Sequence, residues 1–437
     1  MPSRASLRIF AGQVTLTTIA QGATTLALVV AQVVLARTVT VPVFGALAAA
    51  QAMVALLETA IVGRSGDVAL QLIGQYWGRD DGIVRATARS LWRLDVAYCL
   101  AAFAGLALFA AVAAQAFSID GAYVVGLALS LPVQIGYGAR RSLFVVADDI
   151  RGQAIYEIIN SVSLVVLTAG LTLAFGAWGM IAGSVLAAGA KNLLAHLSTR
   201  TIWTPAARAS PAELPATVKQ AMRISSFHSV LRNLLRNAAA NADVLLLSLS
   251  GRPEAVAIYK VARTLAGVPL RAAAPVWLVL RPRLLESLRD DDHRRFNWII
   301  LRMAGLMALA TAAAVPLALF LGEPVLRTFY GAAYGAALQP FLILLVGTSV
   351  FGAVTGWLAF TLVISSRKTL GSAIFAVQLA LILLFGALLG GSAVRMAWVV
   401  AGCNVAVSAL AWAALLAGAF RHVRDAKLEK EIPAPAE

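Results

Sequence analysis

Apolar stretches of roughly 20 residues recur along this chain, each closed by a short polar break. They fall near 10–36, 42–62, 92–116, 121–146, 153–175, 177–198, 224–250, 256–280, 296–321, 335–365, 369–390 and 394–420. A run of that length is what an α-helix needs to cross about 30 Å of hydrocarbon. The pattern predicts an all-α polytopic membrane protein with about twelve transmembrane helices. The longest central break carries Thr204-Pro205, Ser210-Pro211 and Pro215, and it divides the spans six and six. The expected organisation is an N-terminal six-helix lobe over 1–198, a cytoplasmic linker over 199–221, a C-terminal six-helix lobe over 222–420 and a cytoplasmic tail over 421–437. An even number of spans per lobe gives both lobes one orientation, as in transporters built from parallel repeats. A faint internal echo agrees: Arg79-Asp80-Asp81 precedes span three and Arg289-Asp290-Asp291 precedes span nine.

Spans seven and eight break the apolar pattern. They contain Arg232, Arg236, Lys260, Arg263 and Arg271, with one acid, Asp243, among them. A cation at the bilayer centre costs about 2.5–3.5 kcal/mol even on the lenient insertion scale, so such residues face a bundle interior or a wet cavity. At about 100° per residue, Arg232, Arg236 and Asp243 share an arc of about 40°, with Asn233, Asn237 and Asn241 beside it. Lys260, Arg263, Thr264 and Arg271 share one face of span eight. Asp243 and Arg263 lie about equally far from the loop that joins the spans, so they match in depth and are expected to pair. Arg236 and Arg271 also match in depth, near mid-membrane, with no acid in view. Arg232 and Lys260 lie close enough to the two surfaces for snorkelling to be an alternative. In the first half, Gln13, Thr17 and Gln21 of span one and Glu157 and Asn160 of span five are candidate cavity groups, with Arg140 or Arg151 a structural partner for Glu157. The central cavity predicted here is cationic, which points to an anionic cargo.

Composition sharpens this. The chain has 437 residues, 60% of them apolar and 13% charged, a mean hydropathy of +0.81 and a net charge of +15. No soluble domain of this size has that balance. The charge is not a nucleic-acid footprint: about 26 of the Lys and Arg residues fall in alternate breaks, the positive-inside bias that sets both termini in the cytoplasm. Arg4 and Arg8 before a long first span suit an uncleaved segment. Cys99 and Cys403 lie inside spans without metal-type spacing and read as free thiols. No Ser–His or carboxylate–His cluster occurs and the opposite breaks are short, so neither an enzyme nor a cofactor or metal site is expected.

Several stretches resemble a known family. Leu35-Ala36-Arg37 through Phe44-Gly45 resembles its first hairpin. Asn241-Ala242-Asp243-Val244-Leu245-Leu246-Leu247 followed by Ala255-Val256-Ala257-Ile258-Tyr259 resembles its span-seven to span-eight segment. Gly322-Glu323-Pro324-Val325-Leu326, Tyr330-Gly331 and Tyr334 resemble its loop before span ten. The family is the polysaccharide-exporter, O-antigen-type branch of the multidrug/oligosaccharidyl-lipid/polysaccharide flippase superfamily. One departure is Val62-Gly63-Arg64-Ser65-Gly66-Asp67, where the end of span two is usually Gly-rich.

The resemblance implies flipping of a polyprenyl-pyrophosphate-linked oligosaccharide across the cytoplasmic membrane by alternating access, for surface polysaccharide such as lipopolysaccharide. The implied partners are that lipid-linked oligosaccharide, membrane lipids and polysaccharide polymerase machinery. On this reading Arg232, Arg236 and Arg271 hold the pyrophosphate, assisted by Lys260 and Arg263. Asp243 is a structural or coupling partner, and Asn233, Asn237, Asn241, Gln21 and Glu157 face the glycan. The alternatives are a lipid II-type flippase and a multidrug or cation exporter of the same superfamily, the latter disfavoured because the deep charges are basic.

Overall fold

The structure, a computed structural model, describes residues 4–117, 119–208, 213–272, 292–348 and 368–416. The described residues are overwhelmingly helical and contain no strand. Helix α1 is Arg4–Thr38, and α2 is Val41–Val68, continued by a π-turn over Ala69–Ile73. Helix α3 is Asp81–Phe117. Span four is built from α4 (Gly121–Ala128, with one more turn over Ser130–Val133) and α5 (Tyr137–Val146), bent by 45°. Helix α6 (Ile150–Leu164) passes through a second π-turn, Val165–Ala169, into α7 (Gly170–Arg208).

In the second half, α8 is Ala216–Leu249, α9 is Pro253–Ala266 and α10 is His293–Val325. A third π-turn, Leu326–Tyr330, and a 3-10 segment, Ala332–Ala337, lead to α11 (Leu338–Val346). Helices α12 (Lys368–Leu389) and α13 (Ala393–Leu416) complete the described chain.

The short polar breaks supply the caps. Asp120, Asp149 and Asp292 each accept a backbone N–H from the first turn of α4, α6 and α10. Pro42 and Pro253 occupy first-turn positions of α2 and α9, where a missing N–H costs nothing.

Among the described residues, seven helices are long and apolar enough to cross a membrane, or eight with the bent α4–α5 pair as one span. That count treats 150–200 as one span, but Gly176 leaves the helical region (φ 58°, ψ −130°) and α7 doubles back along α6. A methyl group on Gly179 would sit 1.8 Å from the Leu171 carbonyl oxygen, which shows how closely the two arms pack. Helix α8, with 34 residues, is long enough to span and is set apart by its polar side chains. The described part of each of the twelve sequence-predicted spans falls on a helix or helix pair, with spans eight, ten and twelve running partly outside the described residues. The Asp290 segment of the internal echo also lies outside them. The linker is largely helical: α7 runs to Arg208 and α8 begins at Ala216.

The two halves meet chiefly where α2 packs on α8 and α9. Gly45, Ala48, Ala49 and Ala52 are all buried along α2, the small-residue surface that lets membrane helices approach closely. The face from which α1 starts is the near face below, and the face at which α1 ends is the far face.

Candidate functional site

Between the halves lies a cavity of about 220 Å3. Helices α1 and α2 contribute Gln32 and Gln51, the second π-turn contributes Thr168, and α7 contributes Ser184. The second half contributes Lys260 and Thr264 from α9, and Arg271 from the helical stretch that resumes after Gly267. One wall is therefore neutral and polar and the other cationic, and no carboxylate is among the lining residues.

Several of these polar groups lack partners. Gln32 Oε1, Thr168 Oγ1 and Arg271 Nη1 are buried without a hydrogen bond. Gln51 Nε2 and Ser184 Oγ reach only the Met180 sulfur, each at 4.0 Å. Leaving a buried polar group unmade costs about 1–3 kcal/mol, so native folds retain such groups where a ligand or water completes them. The π-turn at Val165–Ala169 helps to position Thr168, in keeping with the recurrence of π-bulges at functional positions.

The other predicted residues divide into distinct roles. Arg263 Nη1 donates to Asp243 Oδ1 at 2.8 Å, the pairing expected from equal depth. Asp243 is buried and also accepts from the Tyr259 hydroxyl at 2.6 Å, so the acid is a structural anchor between α8 and α9. Arg232 is paired across the halves with Asp67 at the end of α2, and Asn233 Nδ2 donates to the same carboxylate at 3.1 Å. Asn237 and Asn241 donate to the carbonyls four residues earlier, at 2.9 and 3.0 Å. Arg236 is exposed between these groups, has no ion-pair partner among the described residues and does not line the cavity. Glu157 forms an ion pair with Arg141 at 2.7 Å, and not with Arg140 or Arg151. Gln21 is half-buried outside the cavity, and the Gln13 side chain lies outside the described residues. Arg271 and Lys260 are thus the cations brought to the cavity, with Arg263 tied down beside them.

Three features escaped the sequence reading. Gln32 and Gln51 are amides within apolar spans, a signal that was present. Arg64 and Asp95 form a fully buried ion pair inside the first half, joined by Ser65 Oγ donating to Asp95 at 2.8 Å. On the far face Arg37 donates to the carbonyls of Thr328 and Phe329, which belong to the third π-turn.

Contacts join the two halves on both faces. On the near face Asp67 holds Arg232 and Asn233, and Ser225 bonds Gln71 at 2.8 Å. On the far face Arg37 bridges to the π-turn, the Phe44 and Tyr334 rings meet at 5.8 Å, and Gly45 lies against Pro253. A cationic cavity between halves joined on both faces suits the binding of an anionic group.

A family model described as polysaccharide biosynthesis protein matches residues 10–288. No curated protein matches the chain in sequence. An inward-facing multidrug resistance MATE family transporter of the MOP superfamily is similar over 90% of this chain and 95% of that one, with 12% identity and a TM-score of 0.71. The lipid II flippase MurJ, in an inward closed conformation, is similar over 93% of this chain and 87% of that one, with 11% identity and a TM-score of 0.69. A Vibrio cholerae MATE transporter, VcmN, matches over 96% and 99%, with 14% identity and a TM-score of 0.59. These likenesses establish the fold: about twelve transmembrane helices in two six-helix lobes around a central cavity.

Proposed function

We propose that this chain, a member of the polysaccharide biosynthesis protein family, is a membrane transporter that flips a polyprenyl-diphosphate-linked oligosaccharide, a reading supported by its MOP-type fold. The observation that carries this reading is Arg271: a buried guanidinium nitrogen without a partner, in a cavity wall that also holds Lys260 and faces only neutral groups. Guanidinium binds phosphate oxygens in a fork and ammonium adds a point charge. The amides and hydroxyls opposite suit sugar hydroxyls. A cation exporter would need acids here, and the lining has none.

At 220 Å3 the cavity is smaller than the roughly 300–1,000 Å3 of ordinary ligand sites. At this size it takes the diphosphate and adjoining sugar, and the halves separate to pass the glycan while the polyprenyl tail stays in lipid. On this reading the lobes are 1–198 and 222–420, the near face and both termini lie on the cytoplasmic side of the inner membrane, and the cargo serves surface polysaccharide such as lipopolysaccharide. A polymerase is the natural recipient at the far face. Arg236, exposed one turn from Arg232, meets the diphosphate when the near latch opens.

The similarity to a lipid II flippase favours a second reading, with the same diphosphate and a different glycan. The test is lipid analysis of cells depleted of the protein. A completed lipid-linked oligosaccharide should build up in the inner leaflet, and its mass identifies the glycan. Unchanged lipid intermediates with intact surface polysaccharide would sink the proposal.

A further inference from the structure

A larger cavity, of about 300 Å3, lies wholly within the first half, between the start of α3, the bent α4–α5 pair and the end of α7. Its lining includes Arg85 and Arg89 from α3, Arg140 from α5, His196 and Arg200 from α7, and Trp92. No Asp or Glu is among the lining residues. At about 1.5 Å per residue the 37-residue α3 is roughly 55 Å long, well beyond the ~30 Å hydrocarbon core. Its first turns therefore stand at the near membrane surface, and so does this pocket.

Positive charge near one membrane face needs no site to explain it, but this cluster is built as one. Arg85 and Arg89, and likewise His196 and Arg200, are four residues apart and so stack on one face of their helices. Arg140 is held in place: its Nη1 donates to Asn192 Oδ1 at 2.7 Å. Asn192 Nδ2 in turn donates to the carbonyls of Val133 and Ile135, at 2.9 and 3.1 Å, where the 45° bend interrupts the helix. The buried carboxylate whose charge reaches Arg140 is Asp95, and it is already engaged by Arg64 and Ser65. Three helices thus converge their cations on a pocket whose lining holds no acid. Trp92 is half-exposed at the height where indoles mark the membrane–water boundary.

We propose that this pocket binds the phosphate headgroup of an anionic membrane lipid, at a site separate from the central cavity. Guanidinium groups meet the phosphate oxygens, while the indole and the apolar residues Ile73 and Leu143 meet the start of the tail. Two sources present this chemistry, bulk anionic phospholipid and polyprenyl diphosphate. The site holds for the first whether or not the chain carries the second.

The test is native mass spectrometry of the full-length protein with phosphatidylglycerol, undecaprenyl diphosphate and zwitterionic phosphatidylcholine as probes. The wild type and Arg271→Gln should retain an anionic lipid at least tenfold better than phosphatidylcholine, and Arg89→Gln with Arg140→Gln should lose that preference. Arg200→Gln, an exposed position on a third helix, should weaken it severalfold and stands in if the double variant does not fold. In Arg271→Gln, where the central cavity lacks its guanidinium, retention of phosphatidylglycerol and undecaprenyl diphosphate alike identifies a bulk-lipid site, and a preference for the diphosphate identifies a loading site for cargo. Equal retention by all these variants, or loss in Arg271→Gln, overturns the proposal. Because the readout is binding, it fails or stands separately from the transport assay.

Discussion

Arg271 and Arg64 are both cations inside the membrane, and they differ in what their removal leaves behind. Arg271 has a buried nitrogen without a partner, so Arg271→Gln deletes an uncompensated charge and strands no acid. Transport should fall at least tenfold while the thermal midpoint in detergent holds or rises; a clear drop in midpoint would assign Arg271 to the fold instead. Arg64 is wholly buried against Asp95. Arg64→Ala leaves that carboxylate unpaired and should cost about 3–5 kcal/mol, read from thermal unfolding. Arg263→Ala should cost less, because its guanidinium is 26% exposed and Tyr259 still donates to Asp243. The Asp243–Arg263 pair was legible in sequence because equal steps on either side of a hairpin place two residues at one depth. Asp67–Arg232 was not, since its partners are 165 residues apart. Hydropathy periodicity says which side of a helix is wet and nothing about which helix it faces.

At the scale of elements, the membrane did most of the specifying. Hydrocarbon tolerates only helices with every backbone group paired, so apolar length alone locates the spans. The interruptions were not legible, because a π-turn is one extra residue in the hydrogen-bond ladder and leaves hydropathy unchanged. Yet the interruptions place the functional groups: Thr168 at the central cavity, Ile73 at the second pocket, and the Thr328 and Phe329 carbonyls that Arg37 grips. The helical character of the 199–221 linker was not legible for a related reason, since a polar segment beyond the bilayer can be helix as readily as loop. Close packing between elements yields a sharp prediction at Gly45. A Cβ there would lie 1.8 Å from the Pro253 carbonyl oxygen, so Gly45→Leu must drive α2 and α9 apart on the far face. The variant should insert normally, lose transport and show raised accessibility from that face; wild-type transport would mean the α2–α9 approach is not needed for closure.

For the whole molecule, the two polar clasps lie at opposite ends of one cavity, and alternating access requires that they open in turn. The near clasp is Asp67 with Arg232 and Asn233, and the far clasp is Arg37 on the π-turn carbonyls. Each joins the first half to the second, so weakening one tilts the equilibrium toward the state open on that side by whatever differential free energy the clasp supplied. The native cysteines Cys99 and Cys403 are both buried, which leaves a quiet background for a reporter at Ser184→Cys in the cavity wall. Labelled with an impermeant maleimide, this reporter should react faster from the near face when Asp67→Asn is added and faster from the far face when Arg37→Ala is added. A shift of 1.4 kcal/mol would change either rate about tenfold if opening limits labelling. Exchanging the near pair, Asp67→Arg with Arg232→Asp, should restore the wild-type rate because the attraction depends on opposite charge and not on which half carries it. Faster labelling from the same face in both single variants would show that the halves do not rock about the cavity, and the cationic wall would then need a different route to the far side.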